Sequence, residues 1–354
     1  MKLLVIIFFP LLLFAQEKHY FYSPKDYGSV SVFNPFSTFL NCGFDILQSS
    51  THSRELDKIS LGIGLKNVWN NIKNPIPKIN TFTWKRFISQ EVFPLSFTLD
   101  KAQWFPNYTL HLVGGGYNFR TLYEYYDTYN YPTPMLLASV SFGLNHLVNE
   151  AVENGDYVGV NPDPIADLLI FNIAGPILFM NNDVAKFFAE TLNMADWSGM
   201  PAYNPTYGTI ENQGQHFAMR YQPDGWNSKL FYYMGDHGMA GLSFPKNDGT
   251  NLTVAGGAVM RQIRVVDTRD GTRTMSTTLG WIAGFFYDKE NSLLASVVFS
   301  NRINEKMKVS IYPGMFEFFG ISPGVFLHIG NNNQLICGLM FKATPFGLAY
   351  RSQK

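Results

Sequence analysis

His146, Glu150 and Glu153 fall at i, i+4 and i+7 in PMLLASVSFGLNHLVNEAVENG (134–155), so a helix there sets an imidazole and two carboxylates along one face. Asp163 and Asp167 stand one turn apart in DPIADLLIFNIAG (163–175), and His111 precedes the run Gly114–Gly116 in NYTLHLVGGGYNFRTLYEYYDTY (107–129). Imidazole and carboxylate are the side chains that move protons and hold metals near neutral pH. Three chemistries compete for them. His146 and Glu150 can point at one metal ion, with a third ligand from Glu153 or Asp167, although the tighter H-E-x-x-H signature is absent. His111 or His146 beside Glu150 or Asp167 can act as a general base for hydrolysis of a lipid ester. No G-x-S-x-G nucleophile motif accompanies them, and Asp236-His237-Gly238 reads equally well as a turn.

The third reading is structural. Asp163 caps a helix ahead of Pro164, Glu150 and Glu153 form a solvated face, and Asp167 and Asn172 bridge helices through buried hydrogen bonds. This is the first expectation. The catalytic candidates are accordingly His111, His146, Glu150 and Asp167, the metal candidates His146, Glu150 and Glu153, and no cofactor is expected. Asp167 fits the structural role least. It lies between Ala166 and Leu168-Leu169-Ile170-Phe171, and a buried carboxylate there needs a partner, for which His111, His146 and Arg120 are available.

The elements that must position these residues are helical. SLGIGLKNVWNNI (60–72), NTFTWKRFISQEVF (80–93), residues 107–129, 134–155, 163–175 and DVAKFFAETLNMADW (183–197) carry apolar residues at helical spacing. In 134–155, Val140, Leu144, Leu147, Val148 and Ala151 form the apolar stripe and the His/Glu set the polar one. From Gln213 onward period-two runs take over, separated by turn signals such as Pro223-Asp224-Gly225 and Asn331-Asn332-Asn333. In TTLGWIAGFFYD, Leu279, Trp281, Ala283, Phe285 and Tyr287 share one face, and mostly small residues share the other. The expected fold is α+β: a helical subdomain over 16–205, then an antiparallel β-barrel of outer-membrane type over 206–354, with about eight to ten strands. YGSVSVF (27–33) is a further strand candidate. Tyr232, Tyr233, Trp281, Phe318, Phe319 and Tyr350 are candidates for interfacial girdles.

The order of acidic helix end, loop, and Asp-containing helix with Asn172 and Gly175, over residues 107–179, resembles VanZ-like proteins and an uncharacterised family of outer-membrane proteins from Bacteroidota. Asp167 and Asn172 are five residues apart, where that pattern expects four. The resemblance implies an envelope location and carries no chemistry with it.

Composition agrees with an envelope protein. Charged residues are 15% and aromatics 16% of the chain, a balance that suits a surface partly exposed to lipid. Net charge is zero, so no basic stripe offers itself to nucleic acid. MKLLVIIFFPLLLFAQ reads as a secretory signal peptide cut after Ala15 (domain 1–15). Cys42 and Cys337, the two cysteines, read as small hydrophobes rather than as a disulfide. The expected protein is therefore an outer-membrane barrel with a helical plug or periplasmic subdomain, in a structural or interaction role. Its partners would be outer-membrane lipid and a periplasmic protein. The alternative is an envelope hydrolase acting on lipid or lipopolysaccharide through the His/carboxylate cluster.

Overall fold

The computed structural model describes residues 18–48, 53–94, 105–155, 159–211, 214–235, 237–267, 273–302, 305–330, 334–342 and 344–352. The signal-peptide expectation for residues 1–15, and the turns at 269–271 and 331–333, lie outside or largely outside these. The fold is α+β, with helices in the N-terminal half and one large antiparallel sheet. It divides into two interwoven units. One comprises Met1–Tyr22, Ile59–Ala185 and Ile263–Thr278; the other comprises Ser23–Lys58, Lys186–Gln262 and Leu279–Lys354.

In chain order the helices are α1 (Gly28–Ser31), α2 (Pro35–Gly43), α3 (Leu61–Ile72), α4 (Pro75–Phe82) and α5 (Trp84–Phe87, running on as Ile88–Val92). They continue with α6 (Phe105–Gly114, then Gly115–Thr128), α7 (Pro134–Glu153), α8 (Asp163–Phe179) and α9 (Asn182–Thr191). The 27–33 segment is thus a short helix, not a strand. Gly28 takes φ +69 and donates its N–H to Pro313 O at 2.7 Å, which a β-branched alternation in an extended strand does not provide. α6 and α8 both contain wide π-type turns, at Phe105–Gly114 and Asp167–Phe171. No single helix among the described residues is long and apolar enough to cross a membrane.

Glycines set the helix spacing. A Cβ on Gly116 would collide with Phe179 and with the backbone of Gly175, and one on Gly175 would meet Leu112 O at 2.5 Å. α6 and α8 therefore touch backbone to backbone. Gly64 does the same for α3 against Ala151 of α7. An apolar core of Ile79, Phe82, Phe87, Ile165, Ala166 and Phe171 fills the space between α4, α5 and α8.

The sheet has thirteen strands: β1 Ala195–Asp196, β2 Ala202–Asn204, β3 Thr209–Glu211, β4 Phe217–Tyr221, β5 Lys229–Met234, β6 His237–Pro245, β7 Thr250–Asp267, β8 Arg273–Lys289, β9 Ser292–Ser300, β10 Met307–Ile311, β11 Gly324–Ile329, β12 Leu335–Met340 and β13 Gly347–Arg351. Their order is β1-β4-β5-β6-β7-β8-β9-β10-β11-β12-β13-β2-β3. The count exceeds the expected eight to ten, because β1–β3 are too short to show a period and lie ahead of the period-two runs that begin at Gln213. No pairing among the described residues joins β3 back to β1, so the ladder is an open sheet rather than a closed barrel. It is strongly curled. Arg220 of β4 and Asp288 of β8 lie four strands apart, about 19 Å in a flat sheet, yet Arg220 Nη1 donates to Asp288 Oδ1 at 2.6 Å. Only residues 197–201 separate β1 from β2, so the two ends of the ladder lie within about 20 Å of each other.

The concave side of the sheet holds Trp197, Phe231, Tyr233, Met239, Ile282, Phe286 and Tyr312. Tyr233 is therefore core, not girdle, whereas Trp281, Phe318, Phe319 and Tyr350 are exposed. Cys42 and Cys337 form no disulfide.

Candidate functional site

α7 is built against the amphipathic expectation. Phe142, Asn145, His146, Glu150 and Ala151 are buried, while Leu136, Val140 and Leu144 are exposed. The polar stripe read as a solvated face is the packed face, and Glu150 is 0% exposed. The reason lies opposite it. On α6, His111, Gly115 and Asn118 follow one helical stripe, and the bare Cα of Gly115 leaves room beside the His146 ring, whose Nε2 would be 3.6 Å from an added Cβ. The Gly116–Gly175 contact pulls α8 onto the same stripe and brings Asp167 and Asn172 to His111.

The resulting centre joins three helices. One ligating atom from each of His111, Glu150 and Asp167 lies within 4.8 Å of the other two. His111 Nε2 is 3.5 Å from Asp167 Oδ2, and His111 Nδ1 is 3.3 Å from Asn172 Oδ1. The His146 ring stands 5.5 Å from that of His111, centroid to centroid, and 4.3 Å from that of Phe142. Of the sequence candidates, His111, His146, Glu150 and Asp167 therefore converge. Glu153 does not join the close set, and Arg120, a proposed partner for Asp167, is committed elsewhere, to Glu124 at 2.8 Å. Asp163 begins α8 one position inside the expected cap and makes no side-chain cap there; its own N–H is held by Asn161 Oδ1 at 3.3 Å. His237 lies in β6 of the other unit.

The centre is buried and acidic. Burial pushes Glu150 and Asp167 well above the usual carboxylate range, and the nearby Asp163 and Glu153 push in the same direction. Burial raises Asp163 to about 6. Burial lowers His111 to about 4, against the hydrogen bond it makes to Asn172, and lowers His146 well below its ordinary value with help from His111. His111 and Asp167 are thus neighbours at neutral pH without being a conventional ion pair.

Hydrogen bonding is incomplete. Both ring nitrogens of His146, both oxygens of Glu150, Asp167 Oδ1, Asn172 Nδ2 and both amide atoms of Asn118 are buried with no partner among the described residues. The Asp167 carboxyl stands beside that of Glu150. Two residues of this surround escape the sequence reading. Asn118 lies seven positions after His111, which a helical count would have flagged. Glu91, buried at the end of α5 with Oε2 unpartnered, comes from a distant segment with no local signal. Chemically, the centre offers a neutral imidazole base beside carboxylates, or a mixed nitrogen and oxygen ligand set.

Compared with protein-family models, with curated proteins and with solved structures, the chain matches none.

Proposed function

We propose that this chain is an outer-membrane protein. Its curled sheet acts as a barrel-type wall facing lipid, and its helical unit carries the working centre at His111, His146, Glu150 and Asp167. The observation that carries this reading is the inverted polarity of the sheet. Its concave side buries Arg220, Asn251, Asp288, Ser243, Thr253, Ser296, Ser310 and His328. Its outer side exposes Leu230, Leu242 and Val254, which are register neighbours across β5, β6 and β7, and Val325, Leu339 and Leu348 across β11, β12 and β13. An interior that mixes buried polar groups with the aromatic core, behind apolar patches on the outer face, suits the wall of a membrane barrel better than a water-soluble sandwich. The interior is filled by Trp197 and its aromatic neighbours, which argues for an anchor over an open pore.

The test is heat-modifiability of extracted membranes. A band that migrates faster unboiled than boiled, in the outer-membrane fraction, supports the reading; recovery in the soluble fraction without a shift removes it. A second reading, an envelope hydrolase acting on lipid or lipopolysaccharide, is favoured by the neutral His111 imidazole beside Asp167. In it His111 would take a proton from an attacking water, and Asp167→Asn would abolish hydrolysis without changing the gel shift.

A further inference from the structure

Two acceptors face each other at the heart of the helical unit. With His111 Nδ1–H donating to Asn172 Oδ1, the Nε2 lone pair points toward Asp167 Oδ2 at 3.5 Å. Both Glu150 oxygens are buried with no hydrogen-bond partner among the described residues. Acceptors gathered this way in a buried space repel unless a proton or a metal ion sits between them. No Lys or Arg offsets Glu150 or Asp167 in the described surroundings; Arg86 acts on Glu91 instead. When a dication binds, Glu150 and Asp167 release their protons to it and their two carboxylate charges balance it.

We propose that His111, Glu150 and Asp167, with His146 as fourth ligand, bind one divalent transition-metal ion. The geometry suits it. Ligand atoms around a tetrahedral zinc-type ion lie about 3.3 Å apart, and the His111–Asp167 edge is already 3.5 Å. The remaining separations among His111, Glu150 and Asp167 are within 4.8 Å and close by small side-chain rotations; His146, its ring 5.5 Å from that of His111, stands outside that set and would swing in to supply the fourth ligand. Asn172 holds the imidazole in the metal-binding tautomer, the usual task of a residue behind a ligand. One or two imidazoles with two carboxylates select zinc, iron(II) or manganese over calcium or magnesium, which take oxygen ligands alone. The π-type turns that carry His111 and Asp167 are a backbone feature frequent at functional sites. The inference deepens the reading of this centre as the working site but does not depend on where the sheet resides, so a failed gel shift and failed metal binding are separate results.

The experiment uses the full chain in detergent, stripped by chelation and dialysed against zinc, then cobalt(II) as a visible-light probe. One equivalent of zinc is expected to remain, together with a cobalt d–d band and a rise in melting temperature on metal addition. Glu150→Gln and Asp167→Asn, which keep shape and remove charge, should each weaken binding at least about 100-fold, and Asn172→Ala about 10-fold or more. Asp127→Asn, half-exposed at the far end of α6 from the ligands, should bind like the parent. Because the two isosteric variants relieve like-charge crowding, they should fold; circular dichroism checks this, and the loss of the metal-induced melting shift is read alongside. Substoichiometric zinc on the parent chain overturns the proposal. So does equal binding by Glu150→Gln and Asp167→Asn, which would mark the metal as adventitious.

Discussion

The molecule buries carboxylates in two different ways. Glu124, Glu211 and Asp288 are fully buried and fully answered. Glu124 receives Arg120 and the N–H groups of Tyr20, Phe21 and Tyr22. Glu211 sits between Arg54 and Arg351, and Asp288 takes Arg220 and Asn251. Glu150 and Asp167 are buried too, yet among the described residues neither pairs with a Lys or Arg: both Glu150 oxygens are unpartnered, and Asp167 lies 3.5 Å from His111. A fold that supplies a guanidinium to three buried acids and none to two others is not short of arginine. The difference teaches that the first set holds the chain together, while the second is arranged for something that arrives.

Four substitutions break or sharpen that contrast. The largest loss should follow Arg120→Met, which leaves Glu124 buried without its cation; about 3–5 kcal/mol of unfolding free energy should vanish in a denaturant titration. Next is the outer belt. Leu242→Arg should cost about 2–4 kcal/mol in a bilayer at mid-depth and nothing comparable in water, so folding into lipid vesicles reads it directly. Gly116→Ala pushes α6 off α8, and an overpacked contact of this type costs about 1–3 kcal/mol. Its thermal shift should be matched by weakened metal retention, since the same contact delivers Asp167 to His111. The smallest change is expected from Glu150→Gln in metal-free protein, which should be neutral or slightly stabilising.

The pH dependence of the metal-free chain has a definite sign. Glu150, Asp167 and Asp163 have folded-state values above those of the unfolded chain, Asp163 at about 6. Their contribution is fully present below the ordinary carboxylate range near 4 and is lost as pH rises through 6 and beyond, because the unfolded chain releases its protons first. Chelated protein should melt at a higher temperature at pH 5 than at pH 8, and Glu150→Gln should flatten the slope.

Much of the scaffold is legible in the sequence. The period-two alternation of 278–287 matches the exposure of Leu279, Trp281 and Phe285 against the burial of Ile282 and Phe286. Helices form over 61–72 and 134–153, where the spacing places them. The strand count was not legible, because β1 to β3 have two or three residues each, and β1 and β2 are held by pairing with β4 and β13. The orientation of α7 was misjudged for a physical reason. Amphipathic reasoning assigns the polar stripe to water, and here Asn118, His111 and Asp167 draw it inward while Val140 and Leu144 stay outside. His111, His146, Glu150 and Asp167 were visible as residue types at helical spacing. Their convergence was not, because it depends on the backbone contact of Gly116 with Gly175, a long-range pairing that local pattern does not encode.

The most direct measurement is thermal unfolding of the metal-free double variant Glu150→Gln/Asp167→Asn beside the metal-free parent. A site held ready for a cation should lose nothing when its charges are removed, so the variant should melt at or above the parent at pH 7.5. A loss of several degrees, like that expected of Arg120→Met, would make these acids structural partners and contradict the distinction drawn between the two sets.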